Sequence, residues 1–102
     1  AYAERAGLDL QTTWAAIRHT AAQSSVVEHT MPKMIERSFG NGGTLAMHLK
    51  DINYALATGA ELDAKMPFAT ALREAFAGAL DGGDNRWSQS AVVTWFQTED
   101  VL

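Results

Sequence analysis

The feature that most constrains the fold of this chain is the spacing of its apolar residues, which recur every three or four positions along most of its length. The clearest case covers residues 44–58, where the apolar positions repeat at intervals of four, three and four: Leu45, Leu49, Ile52 and Leu56. This spacing puts apolar side chains on one face of an α-helix. It predicts a long amphipathic helix, which Gly59 is placed to terminate.

The same periodicity predicts shorter helices before this one. Residues 1–6 are interpreted as the last turns of a helix that begins upstream, and Asp9 is expected to cap a second helix over residues 11–22. Ser24 or Ser25 caps the next helix, and Glu28 stands at the capping-box spacing from Ser25. Pro32 is expected to kink or restart that helix, because proline cannot donate a backbone hydrogen bond.

Two more helices are predicted after the glycine-rich loop at residues 39–43 and the long helix. Pro67 suits the first turn of a helix that ends at Gly82 and Gly83. Ser90 is expected to cap a short last helix over residues 91–96. No convincing run of alternating polar and apolar residues predicts a strand. The expected fold is therefore all-α, with about five to six helices in one domain of 102 residues.

Composition excludes several classes of function. Twelve acidic and eight basic residues give a net charge of −4 without a basic run, so nucleic acid is not an expected partner. There is no cysteine, and the three histidines at positions 19, 29 and 48 lack the spacing of metal ligands, so no metal site is predicted. The chain has neither a membrane-length apolar stretch nor a signal-peptide pattern, and a cytoplasmic location is expected.

Lys50 and Asp51 are the charged pair that stands out, because they lie in the middle of the long helix. Leu49 and Ile52 belong to its apolar stripe, so the two charged residues between them fall at the two borders of the buried face. A lysine there can pack its stem and present its ammonium to a cleft, where it suits a phosphate, a ribose hydroxyl or a carboxylate. The alternative is a pair of solvated charges, which is also our interpretation of Asp84 and Arg86 in the late loop.

Segments along nearly the whole chain resemble one family of enzymes. They are AERAGLDL, SSVVEHTMPKMIERSF, the KDINYA segment at residues 50–55, KMPFATALREAFAGALDGG and SAVVTWF. Together they resemble the C-terminal helical domain of β-hydroxyacid dehydrogenases, which have a 6-phosphogluconate dehydrogenase-like fold. The resemblance implies NAD or NADP as cofactor, a small 3-hydroxy acid as substrate and an N-terminal Rossmann domain as partner. A homo-oligomer is also expected, because apolar surface that the Rossmann domain would cover favours self-association.

The resemblance also implies roles for two residues. Lys50 would reach the nicotinamide end of the cofactor, and Asp51 would lie near the substrate cleft. The family's catalytic lysine and asparagine motif has no match here, so no catalytic residue is assigned to this chain and catalysis is expected to need sequence upstream. Two departures leave substrate identity open: Gly42 and Gly43 stand where relatives often have an aromatic residue, and Ser88 replaces a usual aspartate.

Two alternatives remain open at this point. An imine reductase of the same superfamily would share the helical domain and differ at the upstream catalytic position. A helical interaction module without chemistry would also fit the apolar faces that the pattern predicts. A glycine fingerprint in a strand–turn–helix upstream would separate an enzyme from a module.

Overall fold

The computed structural model describes residues 1–97, in which helices are joined by turns and loops. This part of the chain forms six α-helices and one 3₁₀-helix and contains no β-strand, which confirms the all-α prediction. The elements in chain order are α1 (Tyr2–Arg5), α2 (Leu10–Ile17), α3 (Ser25–His29), α4 (Met31–Glu36), α5 (Leu45–Glu61), α6 (Pro67–Asp81) and the 3₁₀-helix η1 (Gln89–Phe96). Within residues 1–97, no helix has the length and apolar character needed to cross a membrane.

The core lies where the start of α5 meets the end of α6 and η1. Its buried members come from these three elements and from the loop before α5: Phe39, Leu45, Phe76, Ala79 and Ala91. Leu49 and Ile52 of the predicted apolar stripe pack against this cluster from α5, and Leu80 packs against it from α6. The long amphipathic helix therefore buries the face that its sequence pattern predicts.

Gly59 does not terminate α5, contrary to the sequence prediction. The helix continues to Glu61, and Leu62 occupies the C-cap position. Gly59 is buried against the Met66 side chain, whose sulfur fills the space that a Cβ on residue 59 would need. The glycine is thus explained by close packing between the end of α5 and the start of α6 rather than by a helix end.

The second helix is shorter than predicted, ending at Ile17 instead of Ala22. Its Asp9 cap is as expected, with the carboxylate accepting from the Thr12 backbone N–H at 2.9 Å. At the other end the Thr20 hydroxyl donates to the Ile17 carbonyl at 2.7 Å. Threonine side chains compete with helical backbone bonds in this way, and here the chain leaves the helix as a series of turns.

Ser24 caps α3 as one of the two residues expected to do so, whereas the capping box of α3 and the cap of the last helix differ from the sequence prediction. Glu28 forms an ion pair with Arg18 instead of completing a capping box with Ser25. The last helix is 3₁₀, begins at Gln89 and receives no side-chain cap. Ser90 lies inside it, fully buried, with its hydroxyl 2.7 Å from that of Ser88. Pro32 restarts the chain as α4, and Pro67 opens α6, as predicted.

A polar cluster ties α2 to α3. The Arg18 guanidinium donates to both oxygens of Glu28, at 2.8 and 2.7 Å, and its carbon lies 4.6 Å from the centre of the Trp14 ring. The Trp14 indole N–H donates to the Val27 carbonyl at 2.7 Å. The hydrogen bonds from Arg18 are the main reason that the pKa of Glu28 is lowered from its usual 4.5.

We expect Glu28→Gln to lower the melting temperature at pH 7 and to lower it by less at acidic pH. Because the folded-state pKa of Glu28 is depressed, its contribution to stability is present above pH 4.5 and is lost as the pH falls through the folded pKa. The measurement is thermal unfolding of both proteins at pH 7 and near pH 3. The matched control is Glu74→Gln, an exposed residue of α6 that makes no ion pair in residues 1–97. A melting-temperature difference independent of pH would contradict this assignment.

Candidate functional site

Lys50 lies in a shallow groove between α5 and α6. The groove, called here the Lys50 groove, is lined by six residues: Ala46, Leu49, Lys50, Asn53, Tyr54 and Leu80. Five of them come from α5 at spacings of three and four, and Leu80 closes the groove from α6. The groove combines an apolar wall with an ammonium, an amide and a phenol.

The Lys50 side chain is exposed, and its ammonium forms no ion pair or hydrogen bond within residues 1–97. Arg18 and Arg86, by contrast, each hold a carboxylate. An ammonium with no protein partner at the edge of an apolar wall can donate all three of its hydrogens to a ligand. This is the geometry that a contact with a ligand oxygen requires.

Asp51 is also exposed but does not line the Lys50 groove. Adjacent helix residues differ by about 100° around the axis, so Asp51 lies on the flank of α5 that carries His48, three residues earlier. The two charged residues therefore occupy opposite flanks of the buried face. A ligand in the groove meets Lys50 and does not meet Asp51.

Backbone hydrogen bonds fix the start of α5, and with it the position of Lys50. The Leu45 N–H donates to the Trp87 carbonyl at 2.9 Å, the Ser88 N–H to the Phe39 carbonyl at 2.7 Å, and the Gln89 N–H to the Gly43 carbonyl at 2.8 Å. These three bonds join the loop before α5 to the loop before η1. The glycine-rich segment between Phe39 and Gly43 is therefore anchored at both ends.

Side chains of the first turn of α5 add to this anchor. The Thr44 hydroxyl caps the helix by accepting from the Met47 N–H at 3.1 Å. His48 Nδ1 donates to the Thr44 carbonyl at 2.9 Å, and its ring stacks on Phe76 with centroids 5.9 Å apart. The hydrogen-bonding capacity of His48 Nδ1 is thus used within the fold. The described residues contain no group of three or more side chains that could hold a metal ion.

Arg86 is a solvated charge, as the sequence indicates, with its side chain 87% exposed; the structure adds that it forms an ion pair with the less exposed Asp84 carboxylate. The Arg86 Nε and Nη2 donate to the Asp84 carboxylate at 3.2 and 2.9 Å, and the Arg86 backbone N–H donates to the same group at 2.8 Å. These hydrogen bonds, with the side-chain bond first, lower the pKa of Asp84 to about 2. At physiological pH the Asp84 carboxylate is charged and pairs with the Arg86 guanidinium.

Sequence reasoning missed Asn53 and Tyr54 as groove residues. Both were visible in the sequence as the positions three and four residues after Lys50, which is the spacing of neighbours on one helix face. Tyr54 is 67% exposed, which is high for an aromatic side chain. A separate apolar cavity lined by α1, α2 and α4, with Trp14 and Met34 in its wall, includes none of these residues.

Comparison with known proteins identifies the family. Residues 1–96 match the family model described as the NAD-binding region of NADP-dependent 3-hydroxyisobutyrate dehydrogenase. The chain belongs to the 3-hydroxyisobutyrate dehydrogenase family. The Lys50 groove lies within the region that this family model describes as NAD-binding.

Two proteins illustrate the likeness within the 3-hydroxyisobutyrate dehydrogenase family. The chain is 30% identical over 92 residues to 2-hydroxy-3-oxopropionate reductase of Escherichia coli (strain K12), which covers 90% of this chain and 32% of that protein. The crystal structure of 3-hydroxyisobutyrate dehydrogenase from Salmonella typhimurium superimposes with a TM-score of 0.86 at 24% identity, over 91% of this chain and 33% of that one. The second match shows a shared fold. The chain thus spans about a third of the length of the relatives that it matches.

Proposed function

We propose that this chain is the helical domain of an NAD(P)-dependent hydroxyacid dehydrogenase, and that it closes the cofactor and substrate cleft of the full-length protein. The observation that supports this most directly is the unpaired Lys50 ammonium in a groove inside the region matched as NAD-binding. The relatives are about three times as long as this chain, which leaves room in the full-length protein for a Rossmann domain.

The residues of the Lys50 groove fit one end of a nicotinamide dinucleotide. Leu49 and Leu80 offer an apolar wall to a flat ring, and Asn53 and Tyr54 offer hydrogen bonds to ribose hydroxyls or an amide. The chain's net charge of −4 would repel an anionic dinucleotide, so a free cation in the groove matters more here than on a neutral protein. When bound, NAD(P) supplies or accepts the hydride.

The two charged residues of α5 take separate roles in this proposal. Lys50 donates to the cofactor at its nicotinamide end and orients it. Asp51, which is exposed on the opposite flank of the helix, lies near the substrate cleft in this proposal. Catalytic proton transfer is assigned in this proposal to residues outside this chain, because the family's catalytic lysine and asparagine motif has no match in it.

The names of the two relatives favour a small hydroxy or oxo acid as substrate, since both describe proteins that act on such acids.

A homo-oligomer is part of the proposal. Its support is a pair of exposed apolar side chains one turn apart on α6, Phe68 and Leu72, which are 88% and 45% exposed. Exposed apolar clusters of this kind favour association between copies or domains.

The test compares this 102-residue chain with the full-length protein in an assay of nicotinamide absorbance. The substrates are 3-hydroxyisobutyrate with the oxidised cofactor and 2-hydroxy-3-oxopropionate with the reduced one. We expect turnover from the full-length protein and none from the chain alone, because residues 1–97 contain no βαβ unit. Turnover by the isolated chain would contradict the proposal. Reduction of a cyclic imine, with neither acid converted, would favour the imine reductase alternative.

A further inference from the structure

A second cleft, which shares no residue with the Lys50 groove, carries two arginines. This arginine cleft is lined by Arg37, Phe39, Gly40, Asp84, Arg86 and Trp87. Its charged residues are two guanidiniums and one carboxylate, an excess of one positive charge in a chain whose net charge is −4. A local positive charge on a chain that is negative overall favours the binding of an anion.

Both guanidiniums are held in place by the protein. Arg37 Nη1 donates to the Gln97 amide oxygen at 2.6 Å, and the guanidinium lies 5.3 Å from the Phe39 ring centre. Arg86 is fixed by Asp84 through its side chain and its backbone N–H. A side chain that is already ordered loses little rotamer freedom when it binds a ligand.

Each arginine keeps donors that the fold does not use. Arg37 Nη2 and Arg86 Nη1 make no hydrogen bond within residues 1–97, and the Arg86 side chain is 87% exposed. Carboxylate and phosphate groups are the acceptors that guanidinium donors match best in geometry and charge. The unused donors are therefore suited to an oxyanion.

The floor of the cleft is aromatic. Phe39 and Trp87 meet edge to face, with ring centres 5.2 Å apart and planes inclined at 62°. Phe39 is only 7% exposed, so it belongs to the core and cannot move aside easily. This floor lies under the Arg37 guanidinium, 5.3 Å from the Phe39 ring centre, and keeps water from that side of it, which strengthens its attraction for an anion. It also gives a short carbon chain a surface to pack on.

We propose that the arginine cleft binds a small organic oxyanion, with Arg37 and Arg86 as its cationic ligands and Asp84 as the positioning residue for Arg86. The group recognised is a carboxylate or a phosphate borne on a small molecule. This site goes beyond the proposed function, since it uses no residue of the Lys50 groove and requires no nicotinamide cofactor.

The experiment titrates the chain, without cofactor, with sodium malonate, inorganic phosphate or sodium chloride at matched ionic strength, while amide chemical shifts are recorded by nuclear magnetic resonance. We expect saturable shifts at Phe39, Gly40 and Trp87 with malonate or phosphate and none with chloride. Saturation by malonate alone assigns the site to carboxylates, and saturation by phosphate assigns it to phosphate groups. Either result supports an oxyanion site.

Variants then test the assigned ligands. Arg86→Gln is expected to raise the dissociation constant about tenfold, which is the effect of losing one charge-assisted hydrogen bond. Asp84→Asn keeps both cations but loosens Arg86, and it should weaken binding less than Arg86→Gln does. The matched control, Arg73→Gln on the exposed surface of α6, should leave the dissociation constant unchanged. The dispersion of the amide spectrum reports whether each variant is folded.

Two results would overturn the proposal: no saturable shift with malonate or phosphate, or equal affinity of folded Arg86→Gln and the unmodified chain. Neither depends on hydride transfer. A failure of the arginine cleft would therefore leave the proposed dehydrogenase function untouched, and the reverse also holds.

Discussion

Replacing Lys50 with alanine in the full-length protein should weaken the binding of NAD(P) by roughly ten- to hundred-fold. The reason is that the variant loses one hydrogen bond from a charged donor, worth about 1.5–3 kcal/mol, and no other cation lines the Lys50 groove. The measurement is the dissociation constant of the reduced cofactor, followed by quenching of tryptophan fluorescence, for NADH and NADPH separately. The Michaelis constant for the cofactor should rise in parallel.

The control for this variant is Lys65→Ala, which removes an exposed lysine between α5 and α6 that lies outside the groove. It changes the net charge by the same amount, so any general electrostatic effect appears in both variants. Folding should be unaffected in either case, because both side chains are exposed. If Lys50→Ala and Lys65→Ala bind cofactor equally well, Lys50 is an ordinary solvated lysine and the groove is not the cofactor contact.

Leu45→Ala should lower the free energy of unfolding by about 3 kcal/mol, within the usual 2–5 kcal/mol for a buried leucine. Leu45 is completely buried and contributes to the core cluster from the first turn of α5. The substitution leaves the backbone bond from residue 45 to Trp87 possible, and alanine favours a helix at least as well as leucine. The loss therefore reports packing alone. It is a large share of the stability of an ordinary small domain.

Urea denaturation followed by circular dichroism measures this effect. The matched control is Leu62→Ala, a leucine at the end of the same helix that is 73% exposed, for which we expect a change within about 0.5 kcal/mol. An unchanged slope of free energy against urea would show that both variants unfold as the parent does. Equal losses in the two variants would mean that the core does not centre on the start of α5.

The sequence predicts the existence of α5 and α6 well because each carries a complete amphipathic pattern. Leu45, Leu49 and Ile52 alone define the buried face, and Pro67 marks the start of α6. The prediction errors arise where a tertiary contact, and not the local sequence, determines the role of a residue. Glycine is typical of helix ends, but Gly59 lies within α5 because its backbone packs closely against Met66. No local sequence pattern predicts that contact.

The candidate site was predictable only in part, for the same reason. The position of Lys50 at the edge of the buried face follows from helical spacing. The groove itself needs Leu80, which is thirty residues away in sequence and reaches Lys50 only through the packing of α6 on α5. The meeting of Arg86 and Arg37 in one cleft likewise depends on how the loop before η1 packs against Phe39.

The three backbone bonds between the two loops make residues 40 and 41 a natural place for protein engineering. The bonds are made by main-chain atoms of Phe39, Gly43 and Leu45, so they survive changes of side chain between them. A Cβ on Gly40 would meet no other atom within 4 Å, and Asn41 is exposed. A library randomised at these two codons could therefore reshape the rim of the arginine cleft while Lys50 keeps its place on α5, so that selection for new oxyanion ligands need not disturb the proposed cofactor contact.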